Sequence, residues 1–139
     1  MKLKNIKEIK NSKGEILALI TREKLDNKGV NFITNAKLPF QMAVSNYLPK
    51  TKIPPHVHVT KRIMVNQSLE MIHIDQGKAI FTIFDEKRKP IKKVVLNSGD
   101  TILLIAGGHS IRYTKKTKII EIKQGPYFGK GNDKIIFEA

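Results

Sequence analysis

"LEMIHIDQG" (69–77), "KAIFTIFDE" (78–86), "IKKVVLNSG" (91–99), "TILLIAGG" (101–108), "HSIRYT" (109–114) and "KIIEIKQG" (118–125) follow one another with barely a gap. Each run is short and rich in Ile, Val, Phe or Thr, which suit a pleated, half-buried surface. Turn-forming residues separate them at 75–78, 85–90, 97–100, 106–108 and 114–117. Short strands punctuated at this spacing predict an all-β sandwich or barrel. The N-terminal half extends the pattern. "IKEIKNSKGEILALITRE" (6–23) reads as a hairpin turning at 11–14, "NFITNA" (31–36) as a short strand and "FQMAVSNYL" (40–48) as a longer one. Residues 22–29 carry a short helix-like alternative. Prolines at 49, 54 and 55 mark a break, after which "HVHV" (56–59) resumes an extended run.

The bulk properties set limits. A chain of 139 residues fits one domain with one substantial core. Hydrophobic residues make up 40% and charged residues 27%, an ordinary balance for a globular protein. No apolar run is long enough to span a bilayer, and "MKLKNIKEIK" has no apolar signal segment, so the expected location is the cytoplasm. The absence of cysteine excludes disulfides and thiolate metal sites. The net charge of +14 raises the question of nucleic acid. The positive residues are mostly lysines spread from end to end, and only 6% of residues are aromatic, so the stacking partners of a nucleic-acid surface are lacking. A small anionic substrate makes better use of a positive surface, which raises its local concentration.

The chain has four histidines, and two of them stand one residue apart at His56 and His58. In an extended strand such a pair points to one side, about 6–7 Å apart at Cα, a spacing one metal ion can bridge. Strand alternation puts Glu70, Ile72 and Ile74 on one face and Met71 and His73 on the other. Glu70 therefore looks inward, where a carboxylate needs a partner, a proton or a metal. A strand-start Glu turned to solvent is the competing reading. His73 faces away and is read as a surface or subunit-contact residue; replacing it with Ala should leave metal content unchanged. The bend 106–108 delivers His109 onto the next strand. Three His and one carboxylate would leave one or two open positions on a six-coordinate Fe, Mn, Ni, Zn or Co ion.

These residues resemble the cupin motifs, those of a small double-stranded β-helix of jelly-roll type. The first motif is G-x5-H-x-H-x3,4-E-x6-G. Here His56, His58, Glu70 and Gly77 correspond, with eleven residues between His58 and Glu70 and no glycine ahead of His56. The second is G-x5-P-x-G-x2-H-x3-N. Here Gly99 opens and His109 closes the segment, without its proline or asparagine. "IIEIKQGPY" (119–127) and "NDKIIF" (132–137), with Phe40-Gln41 and Lys61-Arg62, are similar to small cupins associated with bacterial surface-polysaccharide gene clusters.

The resemblance implies a single cupin domain over 1–139, with a barrel over 38–137 and N-terminal strands in 1–36 that pair in a homodimer. It implies a divalent metal on His56, His58, Glu70 and His109, and substrate contacts from Gln41, Arg62 and Gln124. The implied function is an isomerase- or epimerase-like enzyme acting on a sugar phosphate or nucleotide-linked sugar. A non-catalytic sugar- or metal-sensing module and an Fe(II) dioxygenase remain the alternatives. In 119–124, Ile119, Glu121 and Lys123 share a face. Glu121 and Lys123 are then either an exposed pair or pocket residues. In the pocket reading Lys123 grips an anion or has a lowered pKa, and Tyr127 closes the mouth as a donor.

Overall fold

The computed structural model describes residues 5–23 and 28–139. The protein is all-β, with antiparallel sheets. Among the described residues ten strands run in chain order: β1 (Ile6–Lys10), β2 (Ile16–Thr21), β3 (Gly29–Phe32), β4 (Ala43–Asn46), β5 (Glu70–Gln76), β6 (Lys78–Phe84), β7 (Pro90–Asn97), β8 (Thr101–Leu104), β9 (Gly108–Tyr113) and β10 (Lys118–Lys123). One short helix, α1 (Lys130–Asp133), follows. Among the described residues no helix is long and apolar enough to cross a membrane.

A five-stranded sheet has the order β1-β2-β8-β5-β10, and a three-stranded sheet the order β7-β6-β9. Their facing sides share one core. Ala18, Ile20, Ile72, Ile74 and Ile102 from the larger sheet meet Ala79, Phe81, Ile83 and Leu96 from the smaller, all fully buried. Burying each large aliphatic side chain stabilises the fold by about 1.5–3 kcal/mol before chain entropy is subtracted. The outer side of the larger sheet has a second core. There Leu19, Leu69 and Leu103 pack with Met71 and with Ile33, Leu38, Phe40 and Met42 of the β3–β4 hairpin and its loop. Alternation along β5 thus divides as the sequence predicts: Ile72 and Ile74 to the inner core, Met71 to the outer.

The turns follow their residues. Asn11 Oδ1 accepts the backbone N–H groups of Lys13 and Glu15, which closes the β1–β2 hairpin. Asp85 does the same for Lys87 and Lys89 between β6 and β7. Gly107, at φ 72, makes the bend before β9, where a Cβ would lie 2.1 Å from the Phe84 carbonyl oxygen.

Five expectations change. β4 spans 43–46 rather than 40–48, with Phe40 and Met42 packed on the outer core ahead of it. β3 spans 29–32 rather than 31–36, because Gln41 and Thr34 organise a loop there. β8 stops at Leu104, because the N–H groups of Ile105 and Ala106 both turn to the Leu17 carbonyl. "HVHV" is not a strand: among the described residues no strand or helix lies between Asn46 and Glu70, and residues 49–68 are exposed throughout. Pro54 and Pro55 withhold two ladder donors just ahead of it. Finally, 130–133 forms a helical turn. The helix-like alternative at 22–29 falls largely on residues 24–27, outside the described residues.

Candidate functional site

The two large sheets end together on one side. β10 closes the five-stranded sheet and β9 the three-stranded one, and each has one neighbour. At this open end Glu70 begins β5, beside Lys123 at the end of β10. His109 is the second residue of β9. Glu70 shares a face with Ile72 and Ile74, and His109 shares one with Ile111, which packs on the inner core. Both side chains therefore turn inward from opposite sheets. Glu70 Oε2 lies 3.2 Å from His109 Nε2, with both side chains largely covered.

Glu121 and Lys123 join them. Ile119 packs on the inner core, so alternation along β10 turns Glu121 and Lys123 the same way. Both side chains are exposed, on the same side of the sheet as Glu70. The hydrogen bond with His109 holds the Glu70 carboxyl below the ordinary carboxylate value, against the opposing effect of burial. Glu121 moves the other way. Partial burial and its hydrogen bond with the Glu70 carboxylate push its pKa above the ordinary carboxylate value. Lys123 Nζ donates to Asp133 at 2.7 Å and lies 4.0 Å from Glu121. The hydrogen bond with Asp133 raises its pKa. The lowered value that a catalytic lysine base would need is replaced by a persistent cation. Tyr127 stands over that cation, with its ring centroid 5.6 Å from Nζ.

Of the other predicted residues, Gln124 lies beside the pair, and His56, His58, Arg62 and Gln41 lie elsewhere. His56 and His58 stack edge to face at 5.2 Å on the exposed segment, and His56 Nδ1 sits 2.9 Å from the Pro54 carbonyl. Among the described residues no three His, Asp or Glu side chains converge tightly enough to hold a metal. Of the four predicted ligands, Glu70 and His109 lie together, and His56 and His58 are on the exposed segment. Arg62 is exposed on the same segment as the histidines. Gln41 holds its own loop together. It accepts from Thr34 and donates to the carbonyls of Asn35 and Leu38, within the loop that covers the outer core. Gln124 is half-buried just past β10, its N–H bonded to the Leu69 carbonyl beside Glu70.

Two site residues escape the sequence reading. Tyr113 shares the inward parity of His109 and Ile111, and burial, then the charges of Glu121 and Glu70, raise its phenol pKa. Alternation along β9 could have found it. Asp133 has no local signal, because its place depends on the path of the C-terminal segment. That segment closes back on the site: Phe137 stacks on Phe84 at 5.2 Å and covers Gly108, next to His109.

A cleft of ≈ 400 Å³ lies on the opposite, outer face of the larger sheet, lined by Thr21, Arg22, Met42, Met71, His73 and Thr101 among others. His73 Nδ1 is 2.9 Å from Thr101 Oγ1 there, facing away from Glu70 as alternation predicts. The Arg22 guanidinium is engaged by Asp100. The carboxylate–imidazole pair, with a second carboxyl and a cation beside it, lies on the inner side of the sheet, and that is the candidate site.

The fold and the site together define an all-β protein of antiparallel sheets with a carboxylate–imidazole pair between two sheet edges. Comparison with protein-family models, curated proteins and solved structures gives no match.

Proposed function

We propose that this protein is a cupin-type enzyme that moves protons on a small anionic carbohydrate, a sugar phosphate or nucleotide-linked sugar, as an isomerase or epimerase. The observation that carries the proposal is the Glu70–His109 contact at 3.2 Å, flanked by the Glu121 carboxyl, whose pKa burial raises, and by a lysine cation. Isomerisation beside a carbonyl needs a base to take a proton from carbon and an acid to supply one, and an anionic substrate needs a cation to hold it in place. Glu70, oriented by His109, is the base. Glu121 is the acid. Lys123 holds the anionic group, and Tyr127 bounds the mouth over it.

The jelly-roll reading is supported by the path of the chain. From β5 to β10 successive strands lie in the larger, smaller, smaller, larger, smaller and larger sheet, the crossing pattern of Greek-key sandwiches. A divalent metal at this site would be held by Glu70 and His109, the two predicted ligands that the fold brings together, and would polarise a substrate oxygen. The proton transfers themselves run through the chain's own residues. A homodimer through the N-terminal strands has a place to form, since β1 is an edge of the larger sheet.

The test is hydrogen exchange. Keto-sugar phosphates and nucleotide-linked keto-sugars are incubated with the protein in heavy water, and proton NMR follows deuterium entering the carbon beside the carbonyl. Exchange that is lost in Glu70→Gln and in His109→Ala is the expected result. Ligand binding without exchange across the panel would overturn the enzyme reading and leave a binding module.

A further inference from the structure

We infer that Lys123 is the seat of the substrate's phosphate group, and that Asp133 fills this seat from within the chain. The inference rests on the proposed function for its substrate class. The contact itself rests on geometry alone. Lys123 Nζ meets two carboxylates, Asp133 Oδ2 at 2.7 Å and Glu121 Oε1 at 4.0 Å, so Asp133 is the closer partner. The Asp133 side chain is only 18% exposed, which makes it the more covered of the pair. It reaches Lys123 from α1, a single helical turn with no buried residue of its own. The turn is held at its far end, where Phe137 packs on Phe84 and Arg88 sits 5.3 Å over the Phe137 ring. It is joined on the near side through Gly129 at φ 97. A segment pinned at one end and carried on glycine at the other can lift its middle without disturbing a core.

An Asp carboxylate carries one negative charge. A phosphate group carries about 1.5–2 at neutral pH and offers three acceptor oxygens. At one lysine the phosphate therefore displaces the carboxylate, and Asp133 excludes weaker anions such as chloride or a lone carboxylate. Asp133 is then a specificity-determining residue: it sets a threshold of charge that a ligand must exceed.

The test uses inorganic pyrophosphate as probe and phosphorus NMR as the readout, so no turnover is needed. The Lys123–Asp133 pair is part-exposed and its worth is at most the upper end for surface pairs, so removing the competitor in Asp133→Asn should tighten pyrophosphate binding about three- to fivefold. Lys123→Met in the Asp133→Asn background should cancel the gain. Glu138→Gln removes one negative charge from an exposed position near the C-terminus and serves as the control for net charge. Equal or weaker binding by Asp133→Asn would overturn the inference. So would an equal gain in Glu138→Gln, or a gain that survives loss of Lys123. If the gain appears as expected while no sugar exchanges deuterium, the phosphate seat stands and the isomerase reading falls.

Discussion

Asp100 is buried in the turn that leads from β7 into β8, and replacing it with Ala should be the most informative single change outside the site. Its Oδ2 accepts from Arg22 Nη1 at 2.8 Å and from the Asn97 N–H at 2.9 Å, and its Oδ1 accepts from the Glu23 N–H at 3.2 Å. The carboxylate is 6% exposed and the guanidinium 38%, so solvent screens the Arg22 pair and it contributes about 1 kcal/mol or less. Arg22 also keeps a second anchor, the Val95 carbonyl at 2.8 Å. The two backbone bonds to a charged acceptor contribute about 1.5 kcal/mol each at the low end. Asn97 and Glu23 are exposed, and water recovers part of that loss. The expected destabilisation is therefore about 2–3 kcal/mol for Asp100→Ala, and about 1–2 kcal/mol for Asp100→Asn, which keeps one acceptor in place. Urea unfolding followed by circular dichroism measures both, and the midpoint should fall by about 1–2 M at unchanged slope. An Ala variant within about 0.5 kcal/mol of the parent would refute this reasoning, since that is the range of an ordinary surface change. So would an Asn variant as unstable as Ala.

Two glycines at positive φ should respond differently to alanine. Gly107→Ala forces a Cβ to within 2.1 Å of the Phe84 carbonyl oxygen, whereas Gly14→Ala at φ 81 meets nothing within 4 Å. The first should cost more than about 2 kcal/mol and the second about 1 kcal/mol, read from thermal midpoints. The coupled carboxyls should give opposite pH dependences about their ordinary value of 4.5. Glu70 is depressed in the folded state, so its contribution is present above 4.5 and lost as pH falls through the folded value; Glu70→Gln should flatten the acid limb of stability. Glu121 is raised, so its contribution is present below 4.5 and lost as pH rises through the folded value. Glu121→Gln should therefore lose less stability than the parent as pH rises above 4.5, and parallel curves for the two proteins would contradict the raised Glu121 pKa.

How much of the fold and site is legible in the sequence depends on whether the signal is local. The strands from β5 to β10 are readable because each carries its own alternation and its own turn residues. Ile72 fixes the direction of Glu70, and Ile119 fixes that of Glu121, since one apolar neighbour two residues away decides a face. The same alternation at His56–Val59 predicts a strand and fails, because a strand also needs an edge to pair with, and that is set by distant chain. The charge state of Lys123 looks open to lowering for the same reason: Asp133, ten residues on, arrives by a helical turn that no pattern announces. Gln41 illustrates a third failure. A side chain can match a motif and still commit its donors and acceptor to its own loop.

The long exposed crossing between Asn46 and Glu70 has a practical consequence for the chain as a polymer. The halves on either side of it are joined more firmly by the sheet than by the backbone. β2 pairs with β8 from Ala18↔Leu104 to Thr21↔Thr101, and Leu19 and Leu103 share one core. Trypsin reaching Lys52, Lys61 or Arg62 should therefore nick the protein without unfolding it. Two separately expressed pieces, ending and beginning within this crossing, should reassemble into one particle that elutes from size exclusion with the intact chain. Pieces that remain apart would show that the crossing supports the fold in a way its exposure conceals.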